Sequence, residues 1–307
     1  MLRTSVSAFS KVARSRPSGK AASEVHKVYL EVIKAVQDGS QEDLARQLDR
    51  ASALAGDNKM KSKDFALILH SVSKFRSVGS ELQTSLDSLV CLLDTKVTRN
   101  TIFLTTLLPV DLVQIISAIA KLGKAAPRKD NTPFENVINN LSQEVLLKLP
   151  LFEDHHLALV LHAFTHGTAG ALQKHVVDQI IDEIQVNRDV QLFSLQSVVM
   201  IANAVSRLQP KMTPPVSELY VSLIDRSTKA RDDEMQANWP DVLLTAFAHS
   251  GMDPMQIHEE FKVKMAEFVL RRIQRGQVNS GRVAKATNAL IMLKASDTTI
   301  SKLRMHC

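Results

Sequence analysis

The sequence predicts an all-α protein, an α-solenoid of about six two-helix repeats with an N-terminal helical cap. Two phrases, DLVQIISAIAKLG from Asp111 and DVLLTAFAHSG from Asp241, match in their apolar and small positions although they lie 130 residues apart. Only 10 glycines and 10 prolines punctuate the 307 residues, which favours long helices over the frequent turns of an all-β fold. The composition, 45% hydrophobic and 23% charged, is that of a globular chain with a sizeable core.

Residues 1–22 form the first segment, which is basic and contains no acidic residue. Its basic residues are Arg3, Lys11, Arg14, Arg16 and Lys20. Apolar residues recur at helical spacing, at Leu2, Val6, Phe9 and Ala13. A helix here would therefore be amphipathic, which is typical of a mitochondrial presequence and predicts location in the mitochondrial matrix. The alternative is a frayed basic tail, or a basic arm that binds nucleic acid.

This segment accounts for most of the net charge. The chain carries +6, from 38 lysines and arginines against 32 acidic residues. Removing the five basic residues of the segment from these 38 leaves 33 against 32. A body so close to neutral lacks the overall basic excess of a protein that binds nucleic acid along its whole surface. The sequence therefore favours local contacts with RNA.

Residues 23–60 predict an N-terminal cap of two helices. Apolar residues at helical spacing form one stripe from Val25 to Val36 and another from Leu44 to Leu54. Gly39 and Ser40 predict the turn between them.

Residues 61–307 contain six copies of one apolar pattern, each centred on a small residue. The small residues are Ser71, Ala118, Ala163, Ala204, Ala246 and Ala289. Their successive spacings are 47, 45, 41, 42 and 43 residues. This period overlaps the roughly 40 to 47 residues of helical solenoid repeats.

Each copy predicts a first helix around its small residue and a second helix downstream. The second helices are predicted at 82–93, 134–149, 172–184, 216–224 and 257–273. A single pair of helices cannot bury its apolar face alone, so we expect the pairs to stack around one continuous core.

The two quoted phrases, together with the period, resemble organellar helical-repeat proteins of the FAST-kinase-like, RAP-associated and octotricopeptide or heptatricopeptide type. The resemblance covers about residues 61–294. It implies an α-solenoid that acts in RNA maturation, RNA stability or mitochondrial ribosomes. The last segment, SDTTISKLRMHC, is too short for the α/β RAP domain of such proteins. The resemblance therefore implies a binding role rather than nuclease activity.

Two rows of polar residues on the first helices are the candidate RNA-binding site. The residues just before the small ones are His70, Ser117, His162, Asn203, Thr245 and Asn288. Four positions later come Lys74, Lys121, His166, Arg207, His249 and Met292. Positions i and i+4 share a helix face, which we expect to lie opposite the apolar stripe. Repeated along a solenoid, these rows predict a surface that accepts bases and phosphates one unit at a time.

The same rows have a second interpretation, in which each first helix simply presents a solvated or protein-contacting face. The chain has 11 phenylalanines, 2 tyrosines and 1 tryptophan, and most phenylalanines occupy core-type positions. Few aromatic rings are therefore left for stacking on unpaired bases. A subunit of a larger assembly, which touches RNA locally and protein elsewhere, agrees with this composition.

No enzymatic motif accompanies these rows. The sequence lacks GxSxG, GxxxxGKS/T and GxGxxG, which predicts a protein that is not an enzyme and needs no cofactor. His155, His162 and His166 follow helical spacing, but no HExxH motif or carboxylate ligand accompanies them, so no metal site is predicted. Cys91 and Cys307 form no CxxC pair.

The sequence therefore predicts a non-catalytic component of a mitochondrial ribonucleoprotein, with the mitochondrial ribosome as the first candidate. Its expected partners are rRNA or other mitochondrial RNA, and neighbouring protein subunits. No membrane insertion is expected, because Pro109 and Asp111 interrupt the longest apolar run. The alternatives are a free RNA maturation or stability factor, and a structural accessory subunit of a respiratory or ATP-synthase complex without RNA contact. A basic face favours the RNA-binding roles, and an exposed apolar stripe favours the accessory subunit.

Overall fold

The computed structural model describes residues 23–75, 78–125, 131–166 and 171–306. Within these ranges all regular structure is helical, which confirms the all-α prediction for the part of the chain described. The α-helices are α1 (Glu24–Asp38), α2 (Gln41–Gly56), α3 (Ser62–Val72), α4 (Ser80–Arg99), α5 (Thr101–Thr105), α6 (Pro109–Ala125), α7 (Thr132–Lys148), α8 (Asp154–Phe164), α9 (Ala171–Asn187), α10 (Leu195–Leu208), α11 (Pro214–Thr228), α12 (Trp239–Ala248), α13 (Glu259–Gln274), α14 (Ser280–Met292) and α15 (Asp297–Arg304).

Local sequence explains where several helices begin and end. Gly39 ends α1 with φ of 71°, a left-handed conformation that glycine adopts without steric cost. Ser40 then begins α2, and its hydroxyl accepts a hydrogen bond from the Asp43 backbone N–H at 3.2 Å. Proline occupies the first turns of α7 and α11, where a backbone N–H is not needed.

The helices pack in two successions along the chain. In the first, each of α1, α3, α6, α8, α10, α12 and α14 contacts the next. In the second, each of α2, α4, α7, α9, α11, α13 and α15 contacts the next. Every first helix therefore lies beside its counterparts 41–47 residues away, and the core lies between the two successions.

The small residues lie where neighbouring helices approach one another. All six small residues are buried, which agrees with the close packing expected at these positions. Ser71 satisfies its hydroxyl within its own helix, by donating to the Leu67 carbonyl at 2.8 Å. Between the successions, the Phe247 ring lies edge-on to Tyr220 at 5.9 Å and to Phe261 at 5.1 Å. Such aromatic pairs add about 0.5–1.5 kcal/mol each beyond the area they bury.

A few elements differ from the sequence prediction. The last of the predicted second helices, α13, begins at Glu259 rather than at residue 257. The helices α5 and α15 were not predicted, because α5 has only Phe103 buried and α15 is mostly polar. In the part of the chain described, no helix is both long and apolar enough to cross a bilayer.

A repeated contact of basic side chains links the second helices. Near the ends of α7, α9, α11 and α13, a lysine or arginine donates to backbone carbonyls of the connection one unit earlier. These residues are Lys148, Arg188, Arg226 and Arg272. They lie 33 to 44 positions after their carbonyl partners. We call these four residues the clasp cations.

The distances show how close these contacts are. Lys148 Nζ lies 2.9 Å from the Leu104 carbonyl oxygen and 2.7 Å from that of Leu107. Arg272 Nη2 lies 3.1 Å from the Asp232 carbonyl oxygen. These contacts were not predicted from the sequence, although basic residues recur near the ends of four second helices. They tie the ends of these four helices to connections earlier in the chain by charge-assisted hydrogen bonds.

Candidate nucleic-acid interface

The C-terminal ends of α3, α6, α8 and α10 bring four predicted residues to one edge of the fold. Lys74 follows α3, Lys121 lies in the last turns of α6, His166 follows α8, and Arg207 lies in the last turn of α10. Lys74, Lys121 and Arg207 are exposed, whereas His166 is partly buried. We call these four residues the basic row. Cations are favourable at helix C-termini, which gives each of them a local structural reason as well.

Electrostatic coupling shows that members of the row lie near one another. The pKa of His70 is lowered to about 4, first by burial and then by the positive charges of Lys74 and Lys121. The pKa of His162 is also lowered to about 4, by burial and then by His166, Lys121 and Arg207. Lys121 therefore acts on histidines of both α3 and α8.

The exposed cations of this row have no carboxylate partner in the described part of the chain. Lys74, Lys121 and Arg207 take part in none of the ion pairs found there. Three of the clasp cations, by contrast, are paired with glutamates, as in Lys148–Glu144 at 2.6 Å. The row therefore has positive charge available for an anionic partner.

The other predicted row is more buried than the sequence suggested. Its members His70, Ser117, His162, Asn203 and Thr245 are partly buried, and only Asn288 is exposed. Helices that lie side by side cover the flank of each neighbour, so these positions are only partly open to solvent. The exposed face begins one turn later, at Lys74, Lys121 and Arg207, whereas His166 stays partly buried.

The ends of both rows are less closely connected. Thr245 donates its hydroxyl to the Asp241 carbonyl in its own helix at 2.7 Å. His249, just after α12, and Asn288, on α14, are exposed. No hydrogen bond or ion pair among the described residues joins either of them to the basic row. The structure therefore groups the candidate residues most clearly on α3, α6, α8 and α10.

Three buried polar atoms lie in or beside the row. Ser117 Oγ, His162 Nδ1 and His166 Nε2 have no hydrogen-bond partner among the described residues. The rings of His162 and His166 lie 4.9 Å apart at 81°. Buried polar groups are nearly always hydrogen-bonded, so these atoms need partners that the described residues do not supply.

The third histidine of the spacing pattern lies elsewhere. His155 is in the first turn of α8, seven residues and so about 10 Å along the axis from His162. There it contacts Glu153 and the ring of His156. Among the described residues, no three histidine, cysteine or carboxylate side chains are grouped to hold a metal ion. Cys91 is exposed on α4, and Cys307 lies outside the described residues.

The opposite edge, where second helices connect to the next first helix, exposes a row of leucines. Leu108, Leu151 and Leu192 are 60%, 67% and 84% exposed. They follow one another at spacings of 43 and 41 residues, which match the repeat period. We call these three residues the apolar edge. The apolar edge was not predicted from the sequence, because single leucines in connections are not part of an apolar pattern with helical spacing.

The clasp cations place these connections side by side. Lys148 donates hydrogen bonds to backbone carbonyls just before Leu108. Arg188, which shortly precedes Leu192, donates to the carbonyls of Leu149 and Pro150 beside Leu151. Further apolar side chains on the same connections and adjoining helix ends are also exposed, namely Ile102, Leu147 and Val186. Exposed apolar surface that continues over several units is typical of a protein-contacting surface.

A cavity of about 610 Å³ lies between α9, α11 and the link that joins α10 to α11. Its lining combines Lys174 and Lys211 with Asp178 and Asp182, around apolar side chains such as Ile181. This balance of charge selects no single class of ligand.

Comparison with known proteins adds no identity to this geometry. No protein-family model matches the chain, and no curated protein shows significant similarity to it. The function proposed below therefore depends on the residues of the chain and their arrangement.

Proposed function

We propose that the protein is a non-catalytic component of a mitochondrial ribonucleoprotein, with the mitochondrial ribosome as the first candidate. The observation that carries this proposal is the basic row, whose exposed cations lie at the ends of packed helices and have no carboxylate partner among the described residues. The phosphate backbone dominates the affinity of proteins for nucleic acid, and lysine and arginine neutralise it. The basic row therefore binds the phosphate backbone of RNA and makes few base-specific contacts.

The proposed architecture is an α-solenoid of about six repeats, with residues 23–60 as its N-terminal cap. Two observations support it: first helices contact first helices along the chain, and the clasp cations join units 33 to 44 positions apart. Helices pack 8–10 Å apart, so the row from α3 to α10 extends over roughly 25–30 Å. The resemblance to organellar helical-repeat proteins is part of the same proposal.

The mitochondrial part of the proposal depends on residues 1–22. They lie outside the described residues, and their basic, amphipathic composition supports import into the matrix.

The apolar edge supports a contact with neighbouring proteins. Because it lies on the connections that enter the first helices, whereas the basic row lies where the first helices end, one molecule can contact RNA and protein at once. The same edge also favours the second candidate, a structural accessory subunit of a respiratory or ATP-synthase complex that needs no RNA. Loss of binding on neutralising the basic row distinguishes the two.

The test changes Lys74, Lys121 and Arg207 together to glutamine. Binding to a single-stranded RNA from the mitochondrial rRNA is then measured over a range of salt concentrations. We expect weaker binding and a slope of log K against log salt that flattens by about 2, because each lost contact with a single strand removes about 0.7.

The matched control changes Lys34, Lys302 and Arg304 to glutamine. These residues are exposed, and their substitution removes the same amount of charge at positions away from the basic row. If both triple variants bind RNA as the unchanged protein does, or if both lose the same affinity, the basic row is not the RNA site.

A further inference from the structure

Three buried polar atoms where α6 packs against α8 have no hydrogen-bond partner among the described residues. Ser117 Oγ comes from α6, His162 Nδ1 from α8 and His166 Nε2 from the turn just after α8. The two helices are in direct contact. An unpaired buried polar atom is destabilising, so three together are unfavourable unless a ligand completes them.

The charged groups of the described residues around these atoms are cationic. Lys121 and Lys124 come from α6, and Arg207 from α10, and all three depress the pKa of His166 after burial, the largest cause. Just after α3, Lys74 depresses the pKa of His70 together with Lys121. Among the described residues, no carboxylate contributes to the pKa shifts of His162 or His166. The surroundings of the three atoms therefore suit an anion.

We propose that Ser117, Lys121, His162, His166 and Arg207 form a binding site for a single phosphate group. We call these five residues the phosphate pocket. In the proposed function, on which this inference builds, an RNA backbone supplies the group, and free inorganic phosphate offers the same oxyanion chemistry.

The types of donor favour phosphate over a smaller anion. A hydroxyl, an ammonium, two imidazoles and a guanidinium come from three neighbouring helices and their ends, and together they offer enough donors for the several oxygens of a tetrahedral group. Arginine binds phosphate through its planar fork, and lysine adds a point charge. Since the ends of α8 and α10 present carbonyl groups, side chains rather than helix dipoles hold the anion.

The histidines make binding depend on pH. Burial and the neighbouring cations keep both imidazoles neutral at pH 7 in the free protein. A neutral imidazole has one donor, and a protonated one has two. A bound oxyanion favours the protonated form, so the anion and a proton bind together and affinity rises as the pH falls.

The first experiment measures sulfate and inorganic phosphate binding to the full chain by titration calorimetry between pH 5.5 and 8. Sulfate keeps its charge over this range, so any pH dependence of its affinity comes from the protein. We expect saturable binding at one site that tightens toward low pH. We also expect Lys121→Gln or Arg207→Gln to weaken it about tenfold or more, because each change removes a charge-assisted hydrogen bond to the anion.

Two further variants separate the site from a general loss of structure. The double variant His162→Gln/His166→Gln should bind sulfate with little dependence on pH, and Ser117→Ala, a small change, should weaken sulfate binding without lowering the unfolding midpoint. Lys34→Gln is the control away from the pocket. Absence of saturable sulfate and phosphate binding, or identical binding by all pocket variants, overturns the phosphate pocket.

RNA binding measured on the same variants distinguishes this inference from the proposed function. If sulfate binds as expected but RNA does not, the phosphate pocket stands and the RNA-binding role is wrong. If RNA binding depends on the basic row while sulfate does not bind and Ser117→Ala changes nothing, the basic row stands and the pocket is wrong.

Discussion

Asp241 is a carboxylate that the fold buries in the first turn of α12. Burial raises its pKa, and the nearby Arg282 and Lys285 oppose this shift only in part. The folded state therefore holds a proton on Asp241 at a pH where the unfolded chain has released it. The contribution of this group to stability falls as the pH rises from the unfolded value of 3.8 through the folded pKa, and is constant above it.

We therefore predict that Asp241→Asn stabilises the protein at neutral pH and has little effect near pH 3.5. Asparagine keeps a polar side chain at the start of the helix but carries no charge to bury. The measurement compares urea midpoints of the variant and the unchanged protein across this range, with Asp49→Asn as an exposed control. A stability difference that is constant with pH would show that the buried charge is not its cause.

The histidines show how far residue-level prediction reaches. The sequence placed His70 and His162 in one row by their spacing, and the structure sets both beside Lys121. The sequence also assigned them to a solvated face, whereas they are partly buried. Spacing determines which residues share a helix face, but only the neighbouring helices determine how much of that face stays open.

At the scale of the element, apolar periodicity predicted the long helices well. The stripe from Val25 to Val36 and the small residues at the centres of the first helices correspond to α1, α3, α6, α8, α10, α12 and α14. Short elements could not be predicted in this way, because the five residues of α5 contain too few positions to establish a period. The clasp cations were missed for another reason: their partners are backbone carbonyls, which have no signature in the sequence.

The clasp cations yield a prediction about how successive helices are joined. Arg272 is buried and donates to the Asp232 carbonyl and to Gln277, so it links α13 to the connection before α12. Arg272→Met should lower the free energy of unfolding by about 2–3 kcal/mol, since a charged donor is lost and buried carbonyls are left unpaired.

The neighbouring Arg275 provides the matched control for this measurement. It pairs with the Asp232 side chain at 3.0 Å but is half exposed, and exposed ion pairs contribute less than about 1 kcal/mol. Arg275→Gln should therefore shift the urea midpoint much less than Arg272→Met. Equal shifts would mean that surface charge, rather than the buried carbonyl contacts, stabilises this joint.

At the scale of the whole molecule, the two edges divide the proposed tasks. Exposed cations lie at the C-terminal ends of the first helices, and exposed leucines lie on the connections that enter them. The net charge of +6 hides this arrangement, because much of it comes from residues 1–22. Composition alone therefore argues against RNA binding along the whole surface. The structure offers one local surface for the proposed RNA contact and another for the proposed protein contact.

This division predicts how the protein sediments from gently lysed mitochondria. A component of a ribonucleoprotein should travel with rRNA and shift to lighter fractions after RNase treatment. Changing Leu108, Leu151 and Leu192 together to glutamine should release the protein from the particle. Its RNA affinity and unfolding midpoint should stay unchanged, because these side chains are largely exposed and lie away from the basic row.

The exposed Met305, at 78%, provides the matched control, and Met305→Gln should sediment as the unchanged protein does. A large particle that resists RNase and contains no RNA would instead support the structural accessory subunit and remove the basic row as an RNA site. If the leucine variant still sediments with the particle, protein contacts do not use the apolar edge, and RNA alone would have to hold the molecule in place.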